Sequence, residues 1–283
     1  MRRLIIAIAI SLVLILALIL YLKILVKNES RFWVKFFNVG QGDAALIHFG
    51  NGQKMLVDCG PDRKILSKLG STMNFFDRTI DYLVITHPDR DHYGCCAAIL
   101  QRYDVKNIFT NGDEKSGDPY WEDWQKNYLN ETADKKILNG YRELKVGNSE
   151  LFFLSPDNSL DFKVRSGDTN NFSIVFILKS PFGRFLFTGD MEMPLEGAIL
   201  KKYCANLISC PAIKADYLKV GHHGSKSSSG IDFLKAVKPQ YSIISVGQAP
   251  NQYGHPTYRV LRKLENVGAQ IWRTDQLDDI IVQ

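Results

Sequence analysis

The chain has 283 residues, 45% of them hydrophobic and 11% aromatic, so it can bury a full-sized core and is not a disordered polymer. Its formal net charge is +5, but residues 1–30 hold Arg2, Arg3, Lys23, Lys27 and Glu29, and the remainder carries 31 basic and 29 acidic residues. That near balance excludes a strong general attraction to nucleic acid.

The chain opens with MRRLIIAIAISLVLILALILYLKILVKNES, in which Leu4 to Leu22 is an apolar run without a charge. At ~1.5 Å per helical residue the run covers most of a ~30 Å hydrocarbon core and reads as a single membrane span over residues 1–30. A cleaved signal peptide is the alternative, with Arg2 and Arg3 as its positive start, although the apolar run exceeds a typical signal core and no small-x-small cleavage site follows it before Lys23. Charge is similar on the two sides, and the orientation favoured is amino terminus in the cytoplasm, with residues 31–283 forming an extracellular domain.

Beyond the anchor, RFWVKFFNVG, AALIHFG and KMLVDCG are β-rich runs broken by turn residues, and predict an opening meander. RKILSKLGSTMNFF has helical spacing, TIDYLVIT is a strand, YGCCAAILQRY a helix and VKNIFT a strand. From Asn111 to Lys136 the chain turns polar around Tyr120, Trp121 and Trp124, which suit either base stacking or, more commonly, the packing of an inserted helix. ELFFLSP, FSIVFILKS, GRFLFTGD, YLKVGHH, YSIISVG and AQIWRT follow as strands, with MPLEGAILKKY, GIDFLKAV and TYRVLRKLEN as helices. This order predicts an α/β sandwich of mixed sheets without repeats or linkers. The five cysteines have neither a metal-finger nor a disulfide-framework spacing. Cys59, Cys95 and Cys96 read as small buried hydrophobes, whereas Cys204 and Cys210 are near enough in sequence to pair.

The chemistry concentrates in THPDRDH, which places His87, Asp89, Asp91 and His92 on one loop behind an apolar strand. Imidazole and carboxylate both suit zinc, and carboxylate-rich sites also admit manganese. A bland reading is a polar turn with Asp91 capping the next helix. Three more strand ends weigh against it: Asp190 in FTGD, His222 and His223 in VGHHGS, and His255 in NQYGHP. Side chains at the same end of several strands can converge.

These motifs resemble the metallo-β-lactamase superfamily, whose signature is H-x-H-x-D-H followed by a later aspartate and histidine. Here Asp89 stands where the second histidine is usual, which makes the chain similar to the hydrolase domain of ComEC-type competence proteins. FFNVGQGDAALI, MLVDCGP, LVITHPDRDHYGCC, NNFSIVFIL, FTGDME, LKVGHHGS and NQYGHP carry that likeness in order, from about Phe36 to Thr274. The resemblance implies a four-layer αββα sandwich and two divalent ions, Zn or Mn. One would be held by His87 and Asp89, the other by Asp91 and His92, with Asp190 bridging and His223 preferred over His222 as the late ligand. The usual mid-chain histidine is missing, and Asn170 or Asn171 is the candidate replacement.

Two such cations would activate water against a phosphoryl or carbonyl centre, with Asp91 orienting it and His222 or His255 supplying a proton to the leaving group. Asp43, turned inward by Gly40 and Gly42, would brace a ligand histidine. Ser225 and Lys226 are candidate phosphate contacts. The implied substrate is a phosphoester, with single-stranded DNA as one possibility, a small choline-phosphate-type ester as another, and a non-catalytic metal-holding module as the rival class. The related pattern would continue for a further strand or two past TDQLDDIIVQ, which predicts an incomplete edge.

Overall fold

The computed structural model describes residue 6 and residues 10–19, 31–163, 167–206 and 210–283. Most of the anchor expected over residues 1–30 lies outside the described residues. Residues 10–19 are helical and exposed, and among the described residues no helix is long and apolar enough to cross a membrane.

Two seven-stranded sheets face each other. The first has the order β14-β1-β2-β3-β4-β5-β6, built from β1 Phe32–Phe36, β2 Ala45–Phe49, β3 Lys54–Val57, β4 Thr79–Val84, β5 Asp104–Thr110, β6 Asp134–Ile137 and β14 Ile280–Val282. The second has the order β13-β12-β11-β10-β9-β8-β7, from β7 Arg142–Val146, β8 Ser149–Ser155, β9 Val175–Ser180, β10 Gly183–Phe187, β11 Tyr217–Lys219, β12 Tyr241–Ile244 and β13 Gln270–Arg273. Each sheet begins as an antiparallel meander and turns parallel, from β3 to β6 in the first and from β10 to β13 in the second. The parallel strands of both sheets end at one pole, where binding sites of such sheets form.

Alternation decides which face each strand buries. Phe32, Val34 and Phe36 of β1 point into the layer between the sheets, where Phe36, Phe176 and Phe187 stack with centroids 5.7 and 4.7 Å apart. Cutting Phe187 back to alanine in this layer is expected to cost about 3–5 kcal/mol.

The outer face of the first sheet is covered by α1 (Lys64–Thr72), by the short α2 (Arg90–Tyr93) and α3 (Cys96–Leu100), and by α4 (Pro119–Asn130). The second sheet is covered by α5 (Met193–Tyr203), α6 (Ile231–Val237) and α7 (Tyr258–Asn266), and α8 (Thr274–Leu277) precedes β14. The result is the four-layer αββα arrangement.

Three strands differ from expectation. DKKI of β6 is an exposed edge strand, rich in lysine and without an apolar face, whereas RELKV of β7 is an edge strand that turns only Leu144 and Val146 into the layer between the sheets, an alternation too short to read by itself. IIV at the tail forms β14, which pairs antiparallel with β1 and is the edge strand of the first sheet. Two of the cysteines also differ, Cys59 and Cys96, expected as unpaired buried hydrophobes. Cys59 is bonded to Cys96 and Cys204 to Cys210, leaving Cys95 free and buried. Trp121 and Trp124 are buried against the first sheet's outer face, whereas Tyr120 is exposed and lies under the Arg90 guanidinium at 3.6 Å.

Candidate metal centre

The apolar run Leu83–Ile85 keeps β4 buried, and the chain leaves it into His87, whose ring is wholly buried. Asp89 occupies the N-cap position of α2 without making a capping bond, so its carboxylate is free for other partners, and Asp91 lies within the first turn rather than capping it. Asp190 follows β10, and His222 and His223 follow β11. Both histidines sit at positive φ, 47° and 51°, a strained region for residues with a side chain. That turn aims both rings back at Asp190.

The site is an inward ring of donors. Single oxygens or nitrogens of Asp91, His92, Asp190 and His223 all lie within 4.8 Å of one another. His92 Nε2 is 3.2 Å from Asp190 Oδ1, and His223 Nε2 is 3.0 Å from Asp91 Oδ2 and 3.5 Å from Asp190 Oδ2. His87 Nε2 lies 3.7 Å from Asp89 Oδ2 and 4.0 Å from Asp190 Oδ2, and His222 Nε2 is 3.9 Å from Asp190 Oδ2.

The opposite ring nitrogens set the tautomers. His92 Nδ1 donates to Asp58 Oδ2 at 2.8 Å, and His223 Nδ1 to the Ser245 carbonyl at 2.8 Å. His222 Nδ1 donates to Glu192 Oε1 at 2.9 Å. A carboxylate or carbonyl only accepts, so each neutral ring turns the lone pair of Nε2 inward, towards carboxylate oxygens that also carry lone pairs. Only a shared proton or a cation satisfies that arrangement.

Burial sharpens the demand. His87 Nε2, His92 Nε2, Asp43 Oδ1 and Asp190 Oδ1 are buried without a hydrogen-bond partner. Such orphans are costly unless an unseen group completes them. Burial alone would raise Asp190, yet the charges of His223, His92 and His87 hold it well below the carboxylate range. Burial works against a charged His223, but Asp190, Asp43 and Asp91 push it up to about 10. These are the shifts expected where anionic ligands crowd a position for positive charge. Nitrogen and oxygen donors at such spacings suit ligands ~2.0–2.2 Å from a shared divalent cation, so the residues present fit metal.

Around the ring, Asp43 follows Gly40 and Gly42, which have φ of 84° and 140°, and a Cβ on Gly42 would come within 2.4 Å of the Asp91 carbonyl oxygen. Asp43 pairs with buried Lys219 at 2.6 Å and lies 3.4 Å from His223 Nδ1, as expected of a bracing carboxylate. Asp89 turns its other oxygen to Lys115 at 2.5 Å and to Thr169 at 2.9 Å.

The two asparagines part ways. Asn171 accepts the backbone N–H groups of Glu192 and Leu195 and donates to Asp168, so its amide is occupied with holding the loop and is no ligand. Asn170 keeps a buried Oδ1 without a partner, beside His222. His255 sits against His222 at a ring distance of 5.4 Å, with burial and the charges of His222 and His223 pulling it down to about 4. That holds the ring in its neutral form at physiological pH. Ser225 is buried and its hydroxyl engages Ser227 at 2.9 Å, which makes it part of the loop rather than a free phosphate contact, while Lys226 is exposed.

Sequence reasoning passed over Asp58, Thr86, Glu192, Lys115 and Thr169. Asp58, at φ 58°, takes the Thr86 backbone N–H and hydroxyl, both at 2.8 Å, as well as His92. Its signal was the VDCG motif, where an acid directly follows a fully buried strand.

The model of the metallo-beta-lactamase superfamily matches residues 37–248. The "ComE operon protein 3" of Bacillus subtilis (strain 168) is 28% identical over 271 residues, covering 83% of this chain and 32% of that protein. The "Competence protein ComA" of Neisseria gonorrhoeae is 28% identical over 248 residues, covering 87% of this chain and 31% of its own. The "Recombination protein 2" of Haemophilus influenzae is 27% identical over 246 residues, with 85% and 27% covered. The chain thus spans less than a third of the length of these relatives. Among solved structures, CmlA, a diiron beta-hydroxylase from Streptomyces venezuelae, aligns with a TM-score of 0.57 at 13% identity over 90% of this chain and 54% of that one. The metallo-beta-lactamase fold protein YhfI from Bacillus subtilis aligns with 0.53 at 13% identity over 88% and 99%. At such identities the two structures speak for the fold alone.

Proposed function

The chain belongs to the metallo-beta-lactamase superfamily, and from that premise we propose that this metal-dependent hydrolase cleaves phosphodiesters, single-stranded DNA foremost. One observation carries the proposal: His87, His92, His222 and His223 all turn Nε2 towards one buried carboxylate, that of Asp190, flanked by Asp89 and Asp91. Asp91, His92, Asp190 and His223 would hold one divalent cation. His87, Asp89 and Asp190 would hold a second, with His222 Nε2 and Asn170 Oδ1 beside it. When bound, zinc or manganese supplies Lewis acidity, lowering the pKa of water and neutralising charge on a phosphoryl group.

The chain's own residues do the rest. Asp58, Ser245 and Glu192 fix the ring orientations of His92, His223 and His222. The second oxygen of Asp91, whose Oδ2 faces His223, would orient an attacking water. His255, beside His222 and with Nδ1 buried and unpartnered, would supply the proton to the leaving group. Lys115 offers positive charge at the rim, and exposed Tyr120 and Tyr253 offer faces on which bases can stack. The relatives include proteins named a competence protein and a recombination protein, which favours DNA over a small ester.

Two disulfides point to an oxidising compartment, and the apolar run up to Leu22 with the exposed helix at residues 10–19 supports attachment to the cell membrane with the catalytic domain outside.

The test uses the full chain in detergent: bound metal by elemental analysis, then hydrolysis of bis-p-nitrophenyl phosphate, a choline phosphodiester and single-stranded DNA, beside Asp190→Ala. About two metals per chain and a loss of activity exceeding ~100-fold in the variant are expected. Stoichiometric metal without turnover of any phosphoester would mark a binding module instead.

A further inference from the structure

We infer that the pole opposite the metal centre rests on an anionic lipid bilayer, into which Phe75, Phe76 and Phe182 dip. The inference deepens the membrane-attachment reading above and depends on it.

The geometry follows from strand direction. The metal centre lies where β4 and β10 end, so Thr79, where β4 begins, and Gly183, where β10 begins, mark the far pole. The loop that leads into Thr79 carries Phe75 and Phe76, 74% and 88% exposed, and Phe76 is the most exposed large hydrophobic side chain among the described residues. Their rings meet edge to face at 5.1 Å and form one apolar wedge. The turn into β10 carries Phe182, 52% exposed, which stacks on Phe32 at 6.0 Å. Phe32 opens β1, so the apolar N-terminal run enters the domain at this same pole.

Charge selects the partner. Exposed Arg31, Arg78, Arg102, Lys214 and Lys238 precede the starts of β1, β4, β5, β11 and β12 at this pole. The acids among them are occupied: Asp77 pairs with Lys54 at 2.7 Å, Asp104 with Lys106, and Asp216 accepts the Arg184 backbone N–H at 2.8 Å. A protruding aromatic wedge ringed by cations complements anionic headgroups above an apolar layer. A second copy would set cations against cations.

The experiment places an environment-sensitive NBD dye on Phe76→Cys in the full chain, reconstituted in phosphatidylcholine–phosphatidylglycerol vesicles. Four native cysteines are bonded and Cys95 is buried, so the dye goes to residue 76. Phe182→Cys repeats the reading independently, and Tyr253→Cys, whose ring lies 6.0 Å from that of His255, reports the opposite pole. Hydrolysis by the Phe76→Cys chain should match the unlabelled protein.

The expected result is a blue-shifted dye at 76 and 182, quenched several-fold less by iodide than at 253, with protection weakened in pure phosphatidylcholine and by salt. A chain that incorporates but leaves residue 76 as accessible as residue 253 overturns the inference while the anchor stands. A chain that does not incorporate, with a wet dye at 76, overturns both. Protection that persists without lipid and rises with protein concentration would assign the wedge to a second copy, and also overturns it.

Discussion

Replacing Asp58 by asparagine isolates the role of the carboxylate that holds His92 by Nδ1, the ring nitrogen opposite the one facing Asp190. Asp58 Oδ1 accepts the Thr86 N–H, while Oδ2 accepts both the Thr86 hydroxyl and His92 Nδ1–H. All are donors, and a carboxylate meets them with acceptors alone. An amide cannot, because in either flip its NH₂ faces one of those donors. With the NH₂ towards His92, the ring is driven to carry its proton on Nε2, the nitrogen that faces Asp190. The backbone gives no competing effect, since Asp58 sits at φ 58°, where asparagine is well tolerated. Loss of a partner that orients a ligand typically weakens metal binding by about 10–100-fold, or about 1.4–2.7 kcal/mol. Competition with a chromogenic chelator, for zinc and for manganese, reads the affinity, and the urea midpoint reports the fold. A folded Asp58→Asn chain binding metal within about threefold of the native chain would refute the tautomer reasoning.

Gly42→Ala would push a Cβ to within 2.4 Å of the Asp91 carbonyl at φ 140°, and should cost about 1–3 kcal/mol in urea unfolding together with weaker metal binding. Cys59→Ser with Cys96→Ser should lose about 4 kcal/mol, from the 37-residue separation closed by that bond, against about 2 kcal/mol for the six-residue Cys204–Cys210 loop, measured by denaturant titration. Burial pushes Glu196 up to about 7 despite two backbone N–H donors from Gly230 and Ser229 and the charge of Lys263. Between an unfolded value of 4.5 and that folded value the native chain keeps a proton the unfolded chain has lost, so stability should fall as pH rises through this window and level off above it. Glu196→Gln should flatten that stretch of the urea-stability profile. Chelation should lower the melting temperature and raise hydrogen exchange around residues 85–95 and 221–229, with either metal restoring both.

Much of the fold and ligand ring was legible because both rest on local pattern. Buried strands announce themselves as apolar runs, and the acids and imidazoles behind TIDYLVIT, GRFLFTG and YLKVG stand out against them. What was hidden depends on partners distant in sequence. Asp58 and Glu192 look like an ordinary strand end and an ordinary helix start, and only folding brings them 2.8 and 2.9 Å from imidazole nitrogens. Asn170 and Asn171 are chemically identical in a sequence, yet one amide is saturated by backbone donors and the other retains an orphaned oxygen. The Cys59–Cys96 bond joins the loop after β3 to α3 without any spacing that marks it, β6 has no apolar face, and the alternation of β7 rests on Leu144 and Val146 alone.

The ring is divided between the halves of the sandwich. His87, Asp89, Asp91 and His92 hang from the first sheet, and Asp190, His222 and His223 from the second. The layer between the sheets is aromatic and packs without help from these groups, so it can hold the two halves at fixed spacing while the ring carries unpaired donors and two strained histidines. A site so placed need not be stable by itself. The stacked Phe36, Phe176 and Phe187 hold the anionic ring assembled before any cation arrives, which lets binding energy go into charge neutralisation rather than assembly. The Cys59–Cys96 bond acts in the same sense, since it ties the loop that carries Asp58 to the helix just beyond His92, the pair whose hydrogen bond sets the inward lone pair.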